Sequence, residues 1–109
     1  MYSIWRKMMR NLAITGGARL LKALGNEKRL EVLFHLRNKE MNVGEMEKIV
    51  GLSQSALSQH LAILRAEGLV RTRREAQTIY YSIKSDKAAV LLTLLDKLFN
   101  QRYRTADVG

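Results

Sequence analysis

Along the first quarter of the chain, apolar residues return every three or four positions, the spacing of a helix with one dry face. Residues 4 to 14 put Ile4, Trp5, Met8, Met9 and Leu12 on one side and Arg6, Lys7, Arg10 and Asn11 on the other. Gly16 and Gly17 weaken the stripe, each at ~1 kcal/mol against alanine in a helix interior. Leu20, Leu21 and Leu24 then resume it. The pattern alone leaves open whether residues 4 to 24 form one helix or two.

Gly25-Asn26 ends that stretch, and Asn26 can cap a second helix carrying Leu30, Val32, Leu33, Phe34 and Leu36. Glu27 sits in its first turn, where negative charge suits the helix dipole. After the polar residues 37–40, Asn42 precedes a short third helix with Val43, Met46, Ile49 and Val50 on its apolar side. Gly51-Leu52-Ser53 breaks the chain, and a fourth helix runs from about Gln54 to Ala66.

Beyond Gly68 the period shortens. Residues 69–74 (LVRTRR) and 77–83 (QTIYYSI) are rich in β-branched and aromatic side chains, and read as a hairpin with its tip near Glu75-Ala76. Tyr80 and Tyr81 can pack on it. A last helix starts near Ser85-Asp86 and carries Val90, Leu91, Leu94, Leu95, Leu98 and Phe99, with a loose tail from Thr105. The chain thus reads as mainly α with a small β-hairpin (α+β), one domain over residues 1–109 in the order α-α-α-α-β-β-α. Its parts are an N-terminal helical segment (1–24), a helix-turn-helix (43–66), a wing (69–83) and a C-terminal helix (85–103).

The stretch VGEMEKIVGLSQSALSQHLAILR, residues 43–65, carries the function. A helix-turn-helix needs a tight turn between two steeply crossing helices, and Gly51 occupies it. Leu52 can anchor the turn, and the Ser53 hydroxyl can accept from a free N–H of the next helix. There Leu57, Leu61 and Leu64 share one face, while Gln54, Ser55, Ser58, Gln59, Ala62 and Arg65 share the other. Glutamine can make paired hydrogen bonds to adenine, serine can donate or accept, and short side chains allow close approach. Gln54, Ser55, Ser58 and Gln59 are the expected base readers, because the first turns of a recognition helix reach furthest. In the hairpin, Arg71, Arg73 and Arg74 lead to the tip and Gln77 and Thr78 lead away. Such a wing can neutralise phosphates or enter the minor groove.

Charge points the same way. Nineteen Lys and Arg against ten Asp and Glu give +9, which favours a polyanionic partner. No cysteine is present, so disulfides, thiolate nucleophiles and Cys zinc sites are excluded, in keeping with a reducing, cytoplasmic setting. Arg and Lys break every long apolar stretch, and the first residues lack the apolar centre of a signal peptide. His35 and His60 are the only histidines, too few for a metal site; His60 suits packing or a phosphate contact. Asp96 reads as a solvated charge. No catalytic grouping and no cofactor loop is found, which argues against an enzyme.

The order helix, helix, NEKRLEVL, helix-turn-helix, RTRREAQTIYYSI, helix resembles the ArsR/SmtB family of winged-helix repressors. LSQSALSQHLAILRAEGLV and RTRREAQTIYYS are especially similar to its HlyU/NolR-like branch, and the likeness covers roughly Leu20 to Phe99. The resemblance implies a homodimer through the first and last helices, bound to an imperfect AT-rich palindrome in double-stranded DNA. It also implies that the helix from Gln54 is the recognition helix, with Ser53 and His60 beside the base readers, and that the hairpin is the wing. The apolar faces around Trp5, Met8, Met9 and Leu12 and around Leu91, Leu94, Leu95, Leu98 and Phe99 exceed what one small core absorbs, as a symmetric interface would require. Metal-sensing relatives carry ligands on the third or last helix, where this chain has NVGEMEK and no histidine. The places matching the cysteines of redox-sensing relatives are Phe34 and Asn100. The expected function is a promoter-binding regulator, either a repressor or an anti-silencer. The alternatives are a protein-assembly module and a small-molecule sensor on the same scaffold.

Overall fold

The computed structural model describes residues 2–101. The tail from residue 105 and the last positions of the expected C-terminal segment lie outside them. The elements run α1 (Tyr2–Leu24), α2 (Glu27–Leu36), β1 (Met41–Asn42), α3 (Val43–Val50), α4 (Gln54–Ala66), β2 (Val70–Glu75), β3 (Thr78–Ile83) and α5 (Asp86–Asp96), with a π-helical turn at Lys97–Gln101. This is a winged helix-turn-helix.

α1 is one continuous helix that passes through Gly16 and Gly17. A side chain at either glycine would meet nothing, so no close approach demands glycine there. Good helix formers on both sides carry the helix across. Only its C-terminal end enters the core, through Ala23 and Leu24, while Ile4, Trp5, Met8, Met9, Leu12 and Ile14 stay exposed.

Side-chain caps start the next four helices. Asn26 accepts from the Arg29 N–H, Ser53 from the Ala56 N–H and Ser85 from the Ala88 N–H. At α3 the cap is reciprocal: Asn42 accepts from the Glu45 N–H at 2.9 Å, and the Glu45 carboxylate accepts from the Asn42 N–H at 3.0 Å. The core beneath is wholly apolar, built on Leu33, Met41, Met46, Leu57, Leu61, Leu64 and Leu92.

Several details depart from the sequence reading. Met41 and Asn42 form a third strand, paired with Tyr81 and Tyr80, so the antiparallel sheet has the order β1-β3-β2. The hairpin tip lies one residue later than expected: Glu75 pairs with Thr78 and the turn holds Ala76 and Gln77. Ala76 takes φ 55° there, as a two-residue hairpin turn requires of its first central residue to match the strands' twist. In α3, Ile49 is 44% exposed, so Met46 and Val50, with half-buried Val43, anchor that helix. In α5, Ala88 and Leu92 face the core, leaving Val90 and Leu94, with Leu98 and Phe99 of the π-helical turn, on the outer side, and Leu91 and Leu95 half-buried between.

Candidate nucleic-acid interface

Gly51 ends α3 in the left-handed region (φ 67°, ψ 34°), where glycine meets no penalty from a Cβ. Its N–H donates to the Glu47 carbonyl, closing the last turn. Leu52 is half-buried against the core, and Ser53 opens α4 two residues after the turn. The inner face of α4 is anchored by Leu57, Leu61 and Leu64, each buried to 1% exposure or less. Its outer face carries Gln54, Ser55, Ser58, Gln59, Ala62 and Arg65, all exposed. Among the described residues, the side chains of Gln54, Ser55, Ser58 and Gln59 hydrogen-bond to no other protein group. A row of unsatisfied amide and hydroxyl groups on a rigid helix can exchange water for base edges at little conformational cost.

His60 is half-buried at the margin of that face, its Nδ1 3.4 Å from Nη1 of Arg29. The wing leaves α4 through Glu67 and Gly68, with the Leu69 N–H closing back on the Leu64 carbonyl at 2.9 Å. Gln77 is exposed at the tip and Thr78 half-buried beside it. The three wing arginines are not equivalent. Arg71 has no ion-pair partner among the described residues, and Arg74 donates only to the Ala76 carbonyl at 3.0 Å. Arg73 is engaged on every side, by Glu40, Glu75 and the Tyr80 ring. Those contacts raise the Arg73 guanidinium above its ordinary value, with the Glu40 hydrogen bond the largest cause and that from Glu75 next. The same bond holds the Glu40 carboxylate below its usual range.

Elsewhere acidic residues are largely paired. Glu67 takes a two-nitrogen fork from Arg19 at 3.1 Å, which raises that guanidinium in turn. Asp96, expected to be a lone solvated charge, is half-buried: it faces Arg37 at 4.0 Å and accepts from Asn100 at 2.6 Å. Helix periodicity hides this, because Arg37 lies on another element. Phe34 and Asn100 line one cleft with Arg37 and Asp96, and neither carries sulfur. Glu40 and Arg29 escaped the sequence reading, since nothing in their spacing announces partners so far along the chain.

Residues 26–72 match the bacterial regulatory protein, arsR family. The transcriptional activator HlyU of Vibrio cholerae serotype O1 is 51% identical over 82 residues, which cover 75% of this chain and 76% of HlyU. This chain belongs to the arsR family. A second relative of the same kind, the nodulation protein NolR of Rhizobium meliloti, is 54% identical over 82 residues, 75% of this chain and 67% of NolR. Among solved structures, NolR from Sinorhizobium fredii superimposes with a TM-score of 0.78 at 48% identity, covering 84% of this chain and 91% of that one. The arsR match spans α2 through the start of β2, so it contains the whole helix-turn-helix.

Proposed function

We propose that this arsR-family regulator binds a pseudo-palindromic promoter site in double-stranded DNA as a homodimer, with α4 in the major groove. The observation that carries this reading is the outer face of α4, where four amide and hydroxyl side chains stand exposed and unpartnered after a glycine turn. Gln54, Ser55, Ser58 and Gln59 read bases, Ser53 and His60 flank them, and Arg65, Arg71, Arg74, Gln77 and Thr78 meet the backbone. HlyU, named a transcriptional activator, supports transcriptional control as the outcome.

Dimerisation supplies the second α4. The apolar faces left open on α1 (Trp5, Met8, Met9, Leu12) and on α5 with the π-helical turn after it (Leu94, Leu98, Phe99) are too extensive for water and suit a self-complementary seam. Leu91 and Leu95, half-buried, form the floor of that seam.

The test is a gel shift on duplexes selected by the chain from a randomised pool, with excess competitor DNA. Gln54→Ala should weaken the selected duplex by ~1–3 kcal/mol and leave non-specific binding unchanged. Equal losses on both would overturn the base-reading role.

A further inference from the structure

Arg73 stands in the middle of β2 across from Tyr80 of β3, and Tyr80 pairs in turn with Asn42 of β1. Glu40 lies one residue before β1. The Arg73 guanidinium rides over the Tyr80 ring at 4.6 Å. All three of its nitrogens donate to carboxylates: Nε to both oxygens of Glu40 at 3.0 Å, Nη2 again to Glu40, and Nη1 to Glu75 at 2.8 Å. A continuous row of side chains therefore crosses the three-stranded sheet from its β1 margin to β2.

We propose that Arg73 is a positioning residue that latches the wing to the segment entering α3, and that it is not a phosphate ligand. The inference deepens the DNA-binding reading and rests on it. Two arguments carry it. The first is charge. One guanidinium facing two carboxylates leaves a local excess of negative charge, so the cluster offers an approaching phosphate no net attraction. A phosphate would have to displace a forked carboxylate from a planar group that already fits it. Arg71 and Arg74 keep their charge uncompensated and carry the electrostatic work of the wing.

The second argument is mechanical. Along β2 only Val70 is buried and only Thr72 half-buried, and on β3 Tyr81 and Ile83 pack on the core, so the part of the hairpin beyond the Thr72–Tyr81 pair has little grip on it. Exposed ion pairs are usually weak, but forked and ring-stacked networks are the exception. Arg73 ties the hairpin to Glu40, two residues from Asn42, whose side chain caps α3. Beside the β1–β3 pairing, wing and helix-turn-helix thus share a second fixed point, and the latch sets the angle between tip and recognition helix.

The experiment combines two readouts on the full chain with Arg73→Lys, Glu40→Gln and the double variant. Amide exchange in the free protein should quicken by ~5-fold or more across residues 70–83, with α2 and α4 unchanged. On a duplex selected by the parent chain, each variant should weaken binding about 10-fold without changing the slope of affinity against salt. The double variant should be no worse than the stronger single one. Arg71→Ala serves as the contrast, lowering that slope by about 1. If Glu40→Gln binds tighter and steepens the slope, Arg73 is a phosphate ligand held in check and the latch is wrong. Unchanged exchange in both single variants would also overturn it. Failure of the parent chain to select any duplex would sink the DNA reading instead, and exchange alone would then decide the latch.

Discussion

Arg29 of α2 and His60 of α4 meet end to end, with Nη1 of the guanidinium 3.4 Å from Nδ1 of the imidazole. A guanidinium has donors only, so a hydrogen bond between the two runs from Arg29 to the imidazole nitrogen. The same arginine donates through Nε to the Ala23 carbonyl at 2.6 Å and through Nη2 to the Lys22 carbonyl at 3.2 Å. These are among the final carbonyls of α1, which lack partners within their own helix. One side chain therefore joins the end of α1 to the recognition helix.

Arg29→Met keeps much of the apolar stem and removes these bonds. We expect a loss of ~1.5–3 kcal/mol in urea unfolding, the range for hydrogen bonds to a charged group, with faster amide exchange in the last turn of α1. Parent-like stability would mean that water serves the two carbonyls equally well.

Gly51→Ala isolates the cost of the turn. Nothing lies within 4 Å of where the new Cβ would sit, so the penalty is the backbone conformation alone. It should amount to about 1–2 kcal/mol, and Gly51→Asn should cost less. A larger loss in thermal or urea unfolding would point to a shift of α4 against α3.

Acid should loosen the wing before it unfolds the core. Glu40 is held below its ordinary value of 4.5, chiefly by the Arg73 hydrogen bond. A depressed carboxylate contributes stability above its unfolded-state value, and that contribution is lost as pH falls through the lower folded value. Protection of residues 70–83, taken against the intrinsic exchange rate at each pH, should therefore fall from roughly pH 5 downward in the parent chain. Glu40→Gln, which cannot titrate there, should show protection that is flat in the same window. A parent profile as flat as the variant's would refute this.

Leu12 and Leu94 are 67% and 47% exposed in the single chain. If they line the seam between copies, Leu12→Glu with Leu94→Glu should convert a dimer to a monomer in sedimentation equilibrium. Binding to a two-half-site duplex should fall with it, because each copy supplies one recognition helix. A parent chain that sediments as a monomer would remove the basis for this expectation.

Local chemistry was legible in the sequence, and long-range pairing was not. Asn26, Asn42, Ser53 and Ser85 announce helix starts because capping involves residues three apart. Gly51 and the Leu57/Leu61/Leu64 stripe are equally local, and they place the outer face of α4 correctly. β1 stayed hidden because two residues have no period, and only Tyr80 and Tyr81, distant in the chain, make Met41-Asn42 a strand. The partner of Arg73 stayed hidden for the same reason, since Glu40 lies 33 residues away. In α5, Leu92 escaped attention because apolar residues surround the helix, so periodicity could not tell the core side from the outer side.

The caps and buried leucines that hold α4 in place share no side chain with Gln54, Ser55, Ser58 and Gln59. Those four positions can be re-lettered with little effect on folding, since none of them fills the interior or caps a helix. Binding preference can consequently drift, or be redesigned, while the scaffold beneath stays the same. A small library at these positions would yield folded proteins with new targets far more often than one at Leu57 or Leu61.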